Sequence, residues 1–324
     1  MGRNSPNSMT HTAVGNGGND YRRAGAALVL ATILWGSTFS FTKVLVAAVP
    51  PMYLLGYRFL LAAIPIFLIF RRRIVSEFPR AIRSTHLAAF SLVGICAIGF
   101  QTYGIKFTTA SNAGFITAFS ILLVPILKRY HFGAAVPRRV YTAAVLALAG
   151  LYALSFGFAV PDLLNRGDAF VFACAIFYGY YILLLEGLAR EFSGATTMFV
   201  SFALTAVACF ALGVLTETHP PANELLTAAV ALELFGLVAF GTVVAYLLMA
   251  WGQRHVPAEA AAVIYALEPV FAFLVAWGFL RESLSPARMV GGAVVIFALL
   301  VSVRSSEAAR NNGSSGQNTW TEKD

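Results

Sequence analysis

Ten stretches of about twenty mostly apolar residues follow one another between Gly25 and Val303, with short polar gaps between them. They read Gly25–Ala48, Met52–Phe70, Leu87–Lys106, Ala110–Lys128, Val140–Phe158, Ala169–Leu188, Gly194–Leu215, Ala229–Gly252, Ala258–Leu280 and Pro286–Val303. A hydrocarbon core about 30 Å thick is crossed by ~20 helical residues at about 1.5 Å each. Backbone amides cannot go unpaired in lipid, so each stretch is expected to be a helix. A soluble chain of 324 residues, 58% hydrophobic and 12% charged, has too little polar surface to clothe itself. The pattern predicts an all-α membrane protein with ten transmembrane helices.

The formal charge of +8 could suggest nucleic acid, but the basic residues are placed otherwise. With a cytoplasmic N-terminus, 17 of the 23 Lys and Arg fall in inside gaps, the triplet Arg71-Arg72-Arg73 among them. Four fall outside (Lys106, Arg166, Arg281 and Arg288), and Lys43 and Arg58 lie within spans. The positive-inside rule therefore puts both termini in the cytoplasm of a bacterial-type inner membrane, with lipid and no nucleic acid as partner. Cys96, Cys174 and Cys209 sit within spans and read as small packing residues rather than disulfides or a metal site. Residues 1–24 and 304–324 are polar and expected to be disordered tails; the first shows no cleavable-signal pattern.

A weak internal repeat divides the chain into residues 25–160 and 161–303. Shifting by 148 places Tyr103-Gly104-Ile105-Lys106 over Trp251-Gly252-Gln253-Arg254, and Ala113, Ile116 and Ala118 over Ala261, Ile264 and Ala266. Trp35-Gly36 pairs with Tyr178-Gly179 after a few residues of slippage. Five spans per half is an odd number, so the second half must enter the membrane inverted relative to the first. Such repeats suit alternating access around a central cavity at the midplane.

The residues Ile33-Leu34-Trp35-Gly36-Ser37-Thr38-Phe39 with Lys43, and Tyr57-Arg58-Phe59-Leu60, resemble the opening of EamA-type transporters of the drug/metabolite transporter superfamily. Ala258-Glu259-Ala260-Ala261, Leu267-Glu268-Pro269-Val270 and Leu280-Arg281-Glu282-Ser283-Leu284, followed by Gly291-Gly292, resemble that family's closing signature. The resemblance implies two inverted five-helix repeats around a central cavity, and export of amino acids or other small metabolites. In one place the halves differ: Ser120-Ile121 stands where the second half has Glu268-Pro269, and Pro125 follows four residues later. The kink of the fourth span is therefore expected a turn deeper than that of the ninth.

Charges within a bilayer are costly and each needs a role. Glu268, in the ninth span and beside the helix-breaking Pro269, either binds a substrate amino group or a proton, or serves only to satisfy freed backbone groups or to pair with a cation. Arg58 either attracts a carboxylate-bearing substrate or ties helices together through carbonyls. Lys43 and Lys106 either snorkel to headgroups or form a basic outer vestibule. Trp35, Ser37, Gln101, Asn112, Thr117, Tyr178, Tyr181, Tyr246 and Tyr265 are the candidate pocket residues near the midplane.

No GxxxxGK[ST], HExxH or GxSxG segment is present, and every Asp and His lies in a tail, loop or span end. An enzyme is disfavoured, no cofactor is expected, and the energy source is an ion gradient or the substrate's own gradient. A secondary transporter exporting amino acids, working as a monomer, is the leading reading. A passive facilitator or channel for small metabolites is the alternative.

Overall fold

The computed structural model describes residues 17–36, 38–157, 165–219, 227–280 and 285–316, with side chains left aside at 17–19, 39–40, 110–111, 275–280 and 303–316. All regular structure there is helical: α1 (Gly17–Gly36), α2 (Thr38–Ala48), α3 (Pro51–Ala81), α4 (Thr85–Phe107), α5 (Ala110–Thr117), α6 (Ser120–Tyr130), α7 (Arg138–Phe156), α8 (Arg166–Glu191) and α9 (Gly194–Thr216). After these come α10 (Ala228–Val238), a π-helical turn (Ala239–Val244), α11 (Ala245–Gly252), α12 (Ala258–Tyr265), α13 (Glu268–Leu280) and α14 (Pro286–Gly316). Helix thus begins at Gly17 and continues to Gly316, overlapping both segments expected to be tails.

The polar gaps supply the helix starts. Ser84, Thr109, Ser193 and Thr227 each accept a hydrogen bond from the amide three residues on. Asn165 and Asp168 cap each other's backbone amides reciprocally at the head of α8. Within α3, Phe70 leaves helical geometry (φ −107°, ψ 16°) where the apolar run gives way to Arg71.

Seven of these helical segments are long and apolar enough to cross a membrane, and eight if α1 and α2, bent by 42°, form one span. Pro286–Ser302 is a shorter apolar helix, and the α12–α13 segment is interrupted. Large apolar side chains such as Leu68 (65% exposed) and Leu215 (79%) point outward, as a lipid-facing surface requires. Where helices cross, glycines permit close approach: a Cβ on Gly150 would stand 2.8 Å from the Gly291 carbonyl, and one on Gly167 2.7 Å from that of Gly104.

The segments expected as fourth and ninth spans, α5–α6 and α12–α13, break at matching positions, which corrects the expectation of a deeper kink at Pro125. α5 and α12 start at Ala110 and Ala258, α6 and α13 at Ser120 and Glu268, and α7 and α14 at Arg138 and Pro286, a constant spacing of 148. At each break the backbone tightens: Phe119 N–H bonds the Ile116 carbonyl (3.1 Å) and Leu267 N–H that of Ile264 (3.0 Å). Pro269, second in α13, has no N–H for the Tyr265 carbonyl, and it stands where an amide lacks a helical partner anyway. Pro125 sits inside a continuous α6, and its carbonyl accepts from the Tyr141 hydroxyl at 3.1 Å.

The main helix packings are α3 on α9, α7 on α14, α4 on α8 and α1 on α11. Polar contacts tie the two ends of this bundle. At the end carrying Arg71–Arg73, Glu77 meets Arg73 (2.7 Å) and Ser193. There too Lys128 bridges Glu186 (2.9 Å) and Glu259 (2.6 Å). At the other end, Lys43 Nζ donates to the carbonyls of Ile105 and Thr108, both at 2.7 Å. Here Glu217 accepts from the amides of Met52 and Tyr53, and burial pushes its carboxyl above the usual range.

A candidate substrate cavity

α1, α2, α3, α4, α5, α8, α9, α11 and α13 enclose a cavity in the middle of the bundle. It holds about 50 Å³ open to the centres of water-sized molecules, room for a few waters. Its wall reads as helical stripes: Gly94, Ala97, Ile98, Gln101 and Ile105 along α4, and Cys174, Tyr178 and Tyr181 along α8.

Aromatic rings form one side. Trp35 stands edge-on to Tyr246 (centroids 5.2 Å apart) and Tyr265 (5.5 Å), and Tyr246 edge-on to Phe202 (5.3 Å) and Tyr181 (6.4 Å). Tyr178 lies parallel to Tyr181 at 6.0 Å. Such edge-to-face sets present both apolar faces and polar tips. The Trp35 indole donates to the Gly241 carbonyl at 3.0 Å, in the π-helical turn. Gln101 donates to Thr117 Oγ1 at 3.2 Å, joining α4 to α5 across the wall.

An arginine and a glutamate line the same space. Arg58, 4% exposed, donates through Nε to Thr242 Oγ1 at 2.8 Å. Glu268 opens α13 and has no hydrogen-bond or ion-pair partner among the described residues. The two are near enough to interact electrostatically, but no salt bridge joins them. The helix-end amides of α13 further favour an anion there.

Of the residues singled out in the sequence, Trp35, Arg58, Gln101, Thr117, Tyr178, Tyr181, Tyr246 and Glu268 meet at this cavity. Tyr265 lies behind Trp35 and donates to Gln253 Oε1 at 3.3 Å. Asn112 belongs to a second depression at the bundle end, with Lys43, Lys106 and Asn165. Lys43 fastens the end of α4, and Lys106 stands 6.0 Å from the Phe107 ring. Of the two prolines expected at kinks, Pro269 stands at the head of α13, beside the break, and Pro125 lies inside continuous α6. Ser37 and residues 281–284 lie outside the described residues.

Several wall residues escaped the sequence reading: Thr38, Thr42, Phe59, Cys174, Ser201, Phe202 and Thr205. Cys174 carried a usable signal, since it precedes Tyr178 and Tyr181 at the i, i+4, i+7 spacing of one helix face.

Comparison with known proteins agrees with this architecture. The EamA-like transporter family model matches residues 23–156 and again 165–304. An uncharacterized transporter of Archaeoglobus fulgidus is 30% identical over 281 residues, 86% of this chain and 85% of that protein. An uncharacterized transporter of Bacillus subtilis is 24% identical, over 83% of this chain and 92% of its own. A probable terminal-alkyne amino-acid exporter of Streptantibioticus cattleyicolor is 45% identical over 49 residues, 15% of this chain and 16% of that protein. A protein of known crystal structure shares the fold, with TM-score 0.70 at 18% identity, covering 86% of this chain and 95% of that one. The paired match along nearly the whole chain and the membrane-length helices lead to one conclusion: this is a multi-pass membrane protein of the EamA-like transporter family.

Proposed function

We propose that this chain is a secondary transporter that exports small metabolites, amino acids first among them, by alternating access. The observation that carries this reading is that Arg58 and Glu268, not joined by a salt bridge, line one aromatic-walled cavity. A zwitterion supplies both countercharges at once: its carboxylate meets the guanidinium, and its ammonium meets the carboxylate of Glu268. The aromatic rings then grip the side chain. The amino-acid assignment also draws on the short match to an amino-acid exporter.

For the architecture, the reading is ten spans in two inverted halves, residues 25–160 and 161–303, with α1–α2, α5–α6, the α10–α11 segment and α12–α13 each one interrupted span. The constant spacing of 148 supports it. So does the packing: exchanging span one with six, two with seven, and so on turns the α4–α8 contact into the α1–α11 contact and returns α3–α9 and α7–α14 to themselves. The Arg71–Arg73 end faces the cytoplasm of the inner membrane, with both termini on that side. The protein works as a monomer without a cofactor.

The test is counterflow of labelled aromatic, branched and small amino acids in proteoliposomes, with and without a pH gradient, for the native protein and Glu268→Gln. Saturable exchange of at least one amino acid is expected, and the gradient drives accumulation by the native protein alone. Equal exchange by both proteins with no response to the gradient makes this a facilitated carrier. No exchange of any amino acid by folded protein ends the amino-acid reading.

A further inference from the structure

Arg58 makes one hydrogen bond among the described residues, and its guanidinium stands 5.4 Å from the Phe59 ring. Its Nε donates to Thr242 Oγ1 at 2.8 Å, and the terminal amino groups have no protein acceptor among the described residues. The residue lines the cavity, so that free edge of the guanidinium is the part left for a ligand. Thr242 is itself fixed. It is fully buried, and its hydroxyl proton goes to the Leu237 carbonyl at 2.8 Å, five residues back across the π-helical turn. With the proton committed there, the hydroxyl oxygen faces Arg58 as an acceptor. The wide turn inserts an extra residue into the helix and so aims Thr242 into the bundle.

The same turn is fixed from the α1–α2 side. Trp35 donates to the Gly241 carbonyl, and a Cβ on Gly241 would stand 2.5 Å from Thr38 Cγ2, so only glycine lets α2 close on the turn. Trp35 and Thr38 are cavity residues themselves. The turn, its acceptor hydroxyl and this part of the cavity wall are thus tied together.

We propose that Thr242 is a positioning residue for carboxylate recognition: it holds Arg58 by Nε so that the two terminal amino groups meet a substrate carboxylate as a planar fork. This rests on the amino-acid reading and deepens it, because a fork selects a planar two-oxygen anion over an amide or an alcohol of the same size. Thr242 does not touch the substrate. It acts by the angle at which it sets the guanidinium.

The experiment measures transport of one accepted amino acid and of its carboxamide in proteoliposomes, for the native protein, Thr242→Val, Thr242→Cys and Thr242→Ser. The native protein favours the acid. Thr242→Val raises KM for the acid about tenfold, leaves Vmax and the amide KM within about twofold, and so erodes the preference. Thr242→Ser keeps the native preference. Thr242→Cys, with a weak sulfur acceptor of similar size, falls between and decides the matter if the valine variant does not fold. Equal changes for acid and amide, or none for either, overturn the positioning role while amino-acid transport stands. Absence of transport of any carboxylate by the native protein overturns the amino-acid reading itself, and the positioning role with it.

Discussion

The α5–α6 and α12–α13 segments, read from the sequence as the fourth and ninth spans, share a backbone device and differ in what they place beside it. Both stop after eight helical residues, turn through two, and resume with a new helix 148 residues apart. The ninth resumes with Glu268 and Pro269, and Glu268 faces the cavity. The fourth resumes with Ser120 and Ile121, both buried, and holds its proline a turn further on. The break is therefore older in the logic of the fold than the charge: the fourth span makes it with no proline at that site. Packing and the i−3 hydrogen bonds suffice, and the second half adds chemistry to a geometry that both possess.

The first way to break this comparison is to move the charge. Glu268→Ser is expected to lower amino-acid exchange about tenfold or more, and Ser120→Glu in the same protein does not restore it, because Arg58 holds only one side of the cavity. Restoration in the double variant, measured as counterflow, makes the two halves interchangeable carriers of the carboxylate. A smaller effect separates the glycines that align in spans one and six. A Cβ on Gly36 would meet the Ala272 amide nitrogen at 2.9 Å and the Glu268 carbonyl at 3.0 Å, so α1 must move off α13. On Gly179 the nearest atom is Leu127 Cδ1 at 3.3 Å, the end of a flexible side chain. Gly36→Ala should cost about 1–3 kcal/mol of stability. For Gly179→Ala the change should stay within about 1 kcal/mol, either way. Thermal unfolding in detergent reads both, and equal shifts remove the asymmetry. The smallest effect is expected at the prolines. Pro269→Ala keeps transport within about twofold, since the first four amides of a helix have no helical partner. Pro125→Ala returns a donor to the Ile121 carbonyl and raises stability by about 1 kcal/mol or less. A tenfold loss of transport in Pro269→Ala would make the proline itself the hinge.

What the sequence made legible was whatever depends on period and composition. Apolar length marked the membrane-length helices, the shift of 148 matches the spacing of the helix starts at α5–α7 and α12–α14, and intramembrane charge pointed to Arg58 and Glu268, which line the cavity. Rotation about the helix axis was harder. Asn112 and Thr117 are five residues apart, which turns them about 140° from each other on a helix, so only one of them can reach the cavity. Choosing Thr117 required knowing where α5 packs. Tyr265 and Glu268 stand three apart, a spacing that shares a face on an unbroken helix, but Leu267 and Ala266 interrupt it. The π-helical turn at Ala239–Val244 has no period of its own to read, and with it Thr242 stayed hidden. Pro125 misled for a related reason: a proline in a membrane helix is a common mark of a kink, but it does not fix where one falls.

The small volume of the cavity has a consequence for how cargo should be sought. With about 50 Å³ open to the centres of water-sized molecules, the cavity in this conformation has room for a few waters and must widen around a larger cargo. Part of every contact a cargo makes therefore goes into separating Trp35, Tyr246 and their neighbours, and equilibrium affinity understates the strength of recognition. A screen that ranks compounds by tightness of binding will favour ligands that disturb the wall least. Turnover ranks them by how well they drive the rearrangement, so weak binders belong among the first compounds tried.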